Sequence, residues 1–243
     1  GHASILLYSM LYLTGHGLEL EDLKEFRQWG SATPGHPEVH HTAGVEVTTG
    51  PLGQGIANAV GMAIAERSLR ARFGAEVCNH HIWCIAGDGD LSEGVSHEAA
   101  SLAGHLGLDH LVVVYDDNHV SIDGPTEMAL TDNAPERFRA YGWNVIEIGE
   151  AAEDLDALEE ALHEGRSNTG SPTLVVLRSH IAFPSPRLTD SPSAHGLPFT
   201  PDDIAETKSV MGLPADQSFY VPDEVVDMYR AAGTAGSSVR LAW

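Results

Sequence analysis

The sequence has 243 residues, 42% of them hydrophobic, which is enough for one α/β domain with a substantial core. It contains no apolar stretch long enough to cross a bilayer and no leader of the signal-peptide kind, so we expect a soluble protein without a membrane partner. The formal net charge of −22 disfavours nucleic acid as a partner, because nucleic-acid binding relies on Lys and Arg to neutralise phosphates. Because the first residue is Gly1 rather than methionine, we expect a chain that begins inside a larger protein.

The first part of the chain predicts helices on either side of a turn-rich segment. Helical periodicity covers residues 2–15 and 18–27. Gly, Pro and Thr then give turn signals over residues 30–55. A long Ala-rich helix is predicted over residues 56–73, ended by Gly74.

The two cysteines, Cys78 and Cys84, come next in the chain. They are too few for a disulfide framework and suit a reducing cytosol, so we predict a cytoplasmic protein. Two histidines lie between them, but the spacing matches no standard zinc pattern. We therefore do not expect a metal site in this segment.

The rest of the chain alternates short apolar runs with helices. Apolar runs without polar alternation, separated by helices, are typical of parallel strands buried on both faces. The strands are predicted at residues 82–86, 111–115, 143–148 and 173–177, and helices at residues 93–107 and 155–163. This order predicts an α/β fold, a doubly wound, mainly parallel sheet with helices on both faces. Beyond residue 186 we predict an irregular chain that ends in a short helix at residues 223–232.

Ligands of such sheets bind outside the carboxyl ends of the strands, where Gly87-Asp88-Gly89 and Asn118 are found. Glycines let the backbone approach an anion at a helix N-terminus. Asp88 alone would repel a diphosphate, so a cation must lie between them. Asn118 and the carbonyl of Val120 would complete an oxygen-only shell suited to Mg²⁺ or Ca²⁺. Gly-Asp-Gly alone is more often a tight turn, and only the pairing with Asn118, at the end of the next strand, favours the metal site.

These motifs and several others, in the same order along nearly the whole chain, resemble those of the transketolase family of thiamine-diphosphate enzymes. The others are Thr33-Pro-Gly-His-Pro-Glu, Gly44-Val-Glu, Thr48-Thr-Gly-Pro-Leu-Gly-Gln-Gly-Ile, Ser96-His-Glu-Ala-Ala-Ser-Leu-Ala-Gly-His, Tyr115-Asp-Asp-Asn-His-Val-Ser-Ile-Asp-Gly, Arg137-Phe-Arg-Ala-Tyr-Gly-Trp and His195-Gly. The resemblance implies thiamine diphosphate and Mg²⁺ or Ca²⁺ as cofactors.

The resemblance also implies roles for individual residues. Asp88, Asn118 and the Val120 carbonyl would hold the metal that bridges the diphosphate. The cofactor contacts would come from Gly50, Leu52, Gly87, Asp88, Gly89, Asn118, Ile122 and His195. The catalytic set would comprise three histidines and two carboxylates. His2 and His36 would face the sugar, and His195 would reach both the diphosphate and the substrate. Glu93 and Glu98 would lie near the interface between two cofactor sites.

The implied reaction moves a two-carbon ketol unit from a ketose phosphate to an aldose phosphate, as in the pentose phosphate pathway. Residues 1–230 would form the diphosphate-binding domain without its extreme N-terminus, and residues 231–243 would begin a linker. A pyrimidine-binding domain, in the rest of the polypeptide or in a partner subunit, would supply the other half of the site. A homodimer is implied, and the isolated chain is expected to be inactive.

Several alternatives stay open. Dihydroxyacetone synthase carries the same cofactor motifs, whereas deoxyxylulose-phosphate synthase lacks two of them. A cofactor-binding domain or subunit without catalysis is another reading. A metal-dependent phosphohydrolase would need a further group beside Asp88, for which Asp90 is the only nearby candidate.

The chain also departs from the family's usual Ile-Gly-Tyr-Gly at Ala182 and Pro184, and Pro184 removes an amide donor.

Overall fold

The computed structural model describes residues 1–150 and 153–243 of the chain. In this part of the chain no helix combines the length and the apolar character that crossing a membrane requires. The chain divides into two compact units, one formed by Gly1–Gly55 with Phe219–Trp243 and the other by Ile56–Ser218.

Through residue 178 the four strands and the predicted helices occur in the predicted order, and the structure adds a short helix, Asp88–Ser92, that periodicity did not predict. The helices are α1 (Ser4–Thr14), α2 (Leu20–Lys24), α3 (Gln54–Phe73), α4 (Asp88–Ser92), α5 (Gly94–Leu106), α6 (Ala134–Ala140), α7 (Leu155–Ser167), α8 (Pro201–Val210) and α9 (Asp223–Ala242). The strands are β1 (Ile82–Gly87), β2 (Leu111–Asp117), β3 (Asn144–Glu147) and β4 (Thr173–Arg178).

The four strands form one sheet in the order β1-β2-β4-β3, and each neighbouring pair is parallel. The register places Gly87 beside Asp116 and Asp116 beside Leu177. The carboxyl ends of β1, β2 and β4 therefore lie side by side, as expected for a parallel sheet.

Alternating strand residues are buried on opposite faces of this sheet. Leu111, Val113 and Leu174 pack in one core with side chains of α3, α5 and α6. Val112 and Val175 pack on the other face against Ala161 of α7. Because helices cover both faces, the predicted doubly wound α/β fold is confirmed.

The unit that contains both chain ends has a small core of its own. Tyr8 of α1 is fully buried there, and its hydroxyl donates to the Pro34 carbonyl at 2.9 Å. The side chain of Tyr8 thus connects α1 to the backbone of the turn-rich segment by a hydrogen bond.

Two expectations for the last part of the chain were wrong. Residues 201–210 form α8 rather than irregular chain, and the terminal helix continues to Ala242 instead of ending at residue 232. Helix α8 begins with a capping box, in which the Thr200 hydroxyl accepts from the Asp203 amide and the Asp203 carboxylate accepts from the Thr200 amide. That start signal was readable in the sequence. The predicted boundary between residues 230 and 231 lies within the continuous helix α9 and stays a prediction.

Both cysteines are free thiols, in keeping with the absence of a disulfide framework. Cys84 lies on β1, where burial raises the pKa of its thiol to about 12. The thiol is therefore protonated at neutral pH.

Candidate functional site

The candidate metal and diphosphate site lies where β1 and β2 end. Asp88 is the first residue of the short helix α4, directly after β1, and Asn118 directly follows β2. The Gly87 amide donates to the Asp90 carboxylate at 3.0 Å, so Asp90 caps its own helix. The sequence motif thus becomes a strand that passes without a linker into a helix N-terminus.

Tyr115 joins the ends of the two strands. Its hydroxyl lies 2.5 Å from Oδ1 of Asp88 and 3.1 Å from Oδ1 of Asp117. The hydroxyl has one proton, so it serves one carboxylate at a time. Tyr115 and Asp117 lie two apart on β2 and therefore share a face of the sheet. We predicted a role for neither residue from the sequence, although their i, i+2 spacing on a strand predicts that both side chains lie on the same face.

The Asp88 carboxylate is electrostatically poised for a cation. Burial raises its pKa, and the nearby negative charge of Asp117 acts in the same direction, while the Tyr115 hydrogen bond opposes them. Oδ2 of Asp88 is buried without a hydrogen-bond partner in the described residues. A buried, partly satisfied carboxylate is costly unless a positive charge compensates it. A divalent cation at Oδ2 would remove that cost, so the residues present fit the implied metal.

Asn118 and Val120 are held in one tight turn. The Val120 amide donates to Oδ1 of Asn118 at 2.9 Å, while the Asn118 amide group donates to Asp116 at 3.2 Å. An amide oxygen has a second lone pair, so Asn118 keeps an acceptor for a metal. Further hydrogen bonds close the loop from the Thr126 amide to the His119 carbonyl and from the Ser121 amide to the Gly124 carbonyl. The two predicted oxygen donors therefore lie in one hydrogen-bonded loop.

A cavity of about 500 Å³ opens beside Asp88 within the Ile56–Ser218 unit. Its wall carries the carboxylates of Asp88, Asp117 and Glu127 and the guanidinium of Arg137. Arg137 is already occupied, since it donates to the Leu91 carbonyl at 2.7 Å and pairs with an aspartate. A wall this acidic would repel a free phosphate, so an anion binds here only with a cation.

In the described part of the chain, His, Cys, Asp and Glu side chains do not gather in sets of three or more that could hold a metal. A metal at Asp88 therefore needs oxygens from other sources. The predicted shell provides them, because it combines one carboxylate with an amide oxygen, a backbone carbonyl and phosphate oxygens.

Gly87 is not required by the fold itself. Its φ of −97° suits any residue, and a Cβ placed on it would meet no atom within 4 Å. The open space at this position leaves the backbone accessible to a ligand. Gly89 lies inside α4, where its carbonyl accepts from the Ser92 hydroxyl at 2.8 Å.

The unit that contains both chain ends brings three predicted site residues together. The rings of His2 and His36 lie 5.5 Å apart between centroids. Gly50 has φ 146°, and a Cβ on it would lie 2.3 Å from Nδ1 of His36. Only glycine fits this close approach to the histidine ring. Leu52 follows two residues later and is partly exposed.

The other predicted site residues lie on loops and helix ends. Glu93 directly precedes α5 and Glu98 lies on it, and both are exposed. Ile122 is 70% exposed, in the loop after β2. His195 is partly buried and ends a single 3₁₀ turn formed by Pro192–Ala194. The roles of these residues stay predictions.

Comparison with known protein families and curated proteins shows which proteins this chain resembles. The family described as "Transketolase, thiamine diphosphate binding domain" matches residues 1–243. Among curated proteins, the chain is similar to a transketolase of Nostoc sp., with 47% identity over 100% of this chain and 37% of the relative. It is also similar to a transketolase of Geobacillus stearothermophilus, with 47% identity over 95% of this chain and 35% of the relative. The chain thus spans little more than a third of the length of these relatives.

Solved structures agree with the sequence comparison. A transketolase structure from Campylobacter jejuni superposes with a TM-score of 0.96 at 41% identity, covering all of this chain and 38% of the other. A Pichia stipitis transketolase, in complex with sedoheptulose 7-phosphate, superposes with a TM-score of 0.96 at 44% identity, covering all of this chain and 36% of the other.

Proposed function

This chain belongs to the transketolase family, as its thiamine-diphosphate-binding domain, and we propose that it supplies the diphosphate- and metal-binding half of a transketolase active site. The observation that carries the proposal is the buried Asp88 carboxylate, whose Oδ2 has no hydrogen-bond partner in the described residues. It lies at the end of β1, bridged through Tyr115 to the end of β2.

The residues at the strand ends hold the cofactor's tail. Asp88, Asn118 and the Val120 carbonyl are the metal ligands, with Mg²⁺ or Ca²⁺ as the ion. Gly89 offers a backbone amide to the diphosphate at the start of α4. Tyr115 keeps Oδ1 of Asp88 hydrogen-bonded, which leaves Oδ2 for the metal. When bound, thiamine diphosphate supplies the carbanion chemistry of the reaction.

The proposed reaction transfers a two-carbon ketol unit from a ketose phosphate to an aldose phosphate. The sugar phosphate bound by the similar Pichia stipitis enzyme supports this substrate class. His2 and His36 would face the sugar, and His195 would contact both the substrate and the diphosphate. Histidines suit this task because their pKa lies near neutrality, so they exchange protons with hydroxyls and carbonyls.

The proposed active protein contains more than this chain. Because the relatives are nearly three times as long, a pyrimidine-binding domain outside these residues would complete the site. A homodimer would bring Glu93 and Glu98 near the interface between two cofactor sites, and a cytoplasmic location suits the free thiols.

The alternative phosphohydrolase has less structural support than the proposed function. The Asp90 carboxylate accepts from the Gly87 amide as a helix cap, and in the described residues His, Cys, Asp and Glu side chains do not gather in a set of three or more that could hold a second metal. Dihydroxyacetone synthase keeps the same cofactor site, and product analysis with ribose 5-phosphate against formaldehyde as acceptor separates it from transketolase.

Replacing Asp88 tests the site directly. In the full-length protein that carries this chain, we expect Asp88→Ala to weaken magnesium-dependent binding of thiamine diphosphate by at least about 100-fold, because a metal ligand is lost. Tyr115→Phe should weaken binding by about tenfold, since it removes only a group that orients the ligand. Isothermal titration calorimetry measures both effects.

The matched control is Asp123→Ala, which removes an exposed carboxylate from the loop that carries Asn118. It should leave the affinity unchanged, and circular dichroism should show the same fold in every variant. An Asp88→Ala protein that binds the cofactor with unaltered affinity would refute the site.

A further inference from the structure

His180 connects two segments at the carboxyl edge of the sheet. It lies two residues after β4 and begins the loop that leads to His195. Its Nδ1 lies 2.9 Å from each carboxylate oxygen of Asp190, and its Nε2 lies 3.1 Å from Oε2 of Glu150. Asp190 belongs to the same loop, whereas Glu150 belongs to the segment that follows β3.

These contacts favour a protonated, positively charged imidazole ring in His180. A carboxylate only accepts hydrogen bonds, and a neutral imidazole carries one N–H, so a neutral His180 could serve just one of the two partners. An imidazolium carries two N–H groups and serves both. The hydrogen bond with Asp190, followed by that with Glu150, raises the pKa of His180 above its ordinary value.

The charged groups around His180 come from each neighbouring segment. Arg178 of β4 lies 4.0 Å from Glu150, and its positive charge opposes protonation of His180. The Arg178 guanidinium is fastened mainly to the carbonyls of Asp117 and Ser179, at 2.8 and 2.6 Å. The Ser179 hydroxyl in turn bonds Asp116 of β2. Two carboxylates therefore face His180 against one guanidinium that is engaged elsewhere.

Asp190 links His180 to the turn that precedes His195. It has φ 59°, in the left-handed region, and its amide donates to the Ile181 carbonyl at 3.0 Å. The hydroxyl of the next residue, Ser191, caps the turn Pro192–Ala194 by accepting from the Ser193 amide, and the Ser191 carbonyl accepts from the Ala194 amide at 2.9 Å. The His195 amide then donates to the Pro192 carbonyl at 3.0 Å. One short turn thus separates the contact at Asp190 from His195.

We propose that His180 is a positioning residue, whose imidazolium bridges Asp190 and Glu150 and thereby fixes the turn that carries His195. The proposal rests on the proposed function, in which His195 contacts the substrate and the diphosphate. Loss of the proton breaks one of the two bridges, so the turn loosens and His195 leaves its productive position part of the time. His180 itself touches neither the substrate nor the cofactor in this proposal.

The pH profile of ketol transfer tests the proposal in the full-length protein. We expect wild-type kcat/KM to fall by about tenfold as pH rises through the pKa of His180, the effect of one charge-assisted hydrogen bond. His180→Gln should show the lower value throughout, since glutamine carries no charge. His180→Arg should keep the higher value at high pH, because its guanidinium stays charged.

Two further variants separate positioning from general damage. Asp190→Gly removes the carboxylate but accepts the left-handed φ, so it should match His180→Gln, and the double variant should lose nothing more. His163→Gln replaces an exposed histidine of α7 and should follow the wild type at every pH. A ratio of His180→Gln to wild type that stays constant with pH would overturn the proposal.

A readout without turnover keeps this proposal distinct from the proposed function. In protein with ¹³C-labelled histidine, the His195 resonance should shift in parallel with the titration of His180 and stay constant over that range in His180→Arg. If no ketol transfer occurs, the proposed function fails and this titration alone decides the positioning role. A His195 resonance that ignores the titration of His180 would overturn it.

Discussion

Ala182, in the loop after β4, adopts a strained backbone conformation. Its φ is 61°, in the left-handed region where a Cβ crowds the following carbonyl. Backbone hydrogen bonds keep the chain there, from the Ser185 amide to the Ala182 carbonyl at 2.8 Å and from the Asp190 amide to the Ile181 carbonyl. The resemblance implied a glycine here and a mild departure at Ala182, and the structure places Ala182 at a backbone conformation where glycine is favoured.

We expect Ala182→Gly to stabilise the protein by about 1 kcal/mol, because glycine adopts this backbone conformation without strain. Thermal unfolding measures the change as a higher Tm. The control is Ala157→Gly in α7, which should lower Tm because glycine disfavours a helix. A Tm for Ala182→Gly below that of the wild type would contradict the strain.

At the scale of the elements, the amino ends of the strands meet in a histidine stack. His81 and His110 directly precede β1 and β2, and their rings lie 4.3 Å apart between centroids. Nε2 of His81 lies 3.0 Å from the Arg166 carbonyl in α7, and His110 lies 3.1 Å from the buried Glu66 of α3. Burial and the neighbouring His110 lower the pKa of His81.

We expect this lowered pKa to make the folded protein less stable in acid. The folded state favours neutral His81, so its contribution to stability is complete above the ordinary pKa of about 6.5 and is lost as pH falls towards the lower folded pKa. We expect His81→Gln, which keeps a donor for the Arg166 carbonyl, to flatten the fall of Tm with pH in this range.

The control for the acid response is again His163→Gln, whose exposed histidine should leave the pH dependence of Tm as in the wild type. Equal slopes of Tm against pH in His81→Gln and the wild type would contradict a role for this stack.

For the whole molecule, the main feature is that the two ends of the chain form one compact unit. Helices α1 and α9, more than 200 residues apart in sequence, pack together within the unit of Gly1–Gly55 and Phe219–Trp243. Gly233 makes this possible, since a Cβ there would lie 2.1 Å from the Thr14 carbonyl oxygen. The guanidinium of Arg230 lies 5.5 Å from the ring centroid of Tyr12, a cation–π contact between the two helices.

Gly233→Ala should therefore destabilise this unit by about 2 kcal/mol or more, because the new methyl group has no space against a backbone carbonyl. Gly236→Ala is the matched control in the same helix, where a Cβ meets no atom within 4 Å. It should be neutral or stabilising by up to about 1 kcal/mol. Hydrogen exchange in α1 measures both effects, and equal protection in the two variants would argue against this helix contact.

The amino-acid sequence was sufficient to predict the order of the four strands and the longer helices through β4, but not the short helix α4. Buried parallel strands need continuous apolar runs, and helices leave a 3.6-residue period, so both can be recognised locally. The motifs around Asp88 and Asn118 and their order along the chain identified the family. Helix α8 was missed although its capping residues Thr200 and Asp203 were visible, because the Pro-rich chain before it favoured irregular structure.

Only the tertiary structure decided the contacts between segments that are distant in sequence. The sharing of the Tyr115 hydroxyl by Asp88 and Asp117, and the approach of Gly233 to α1, depend on distances that no local pattern encodes. The same holds for His180, whose two carboxylate partners come from separate segments. Periodicity and motif order are properties of neighbouring residues, whereas charge compensation and close packing arise only when the folded chain brings remote groups within a few ångströms of each other.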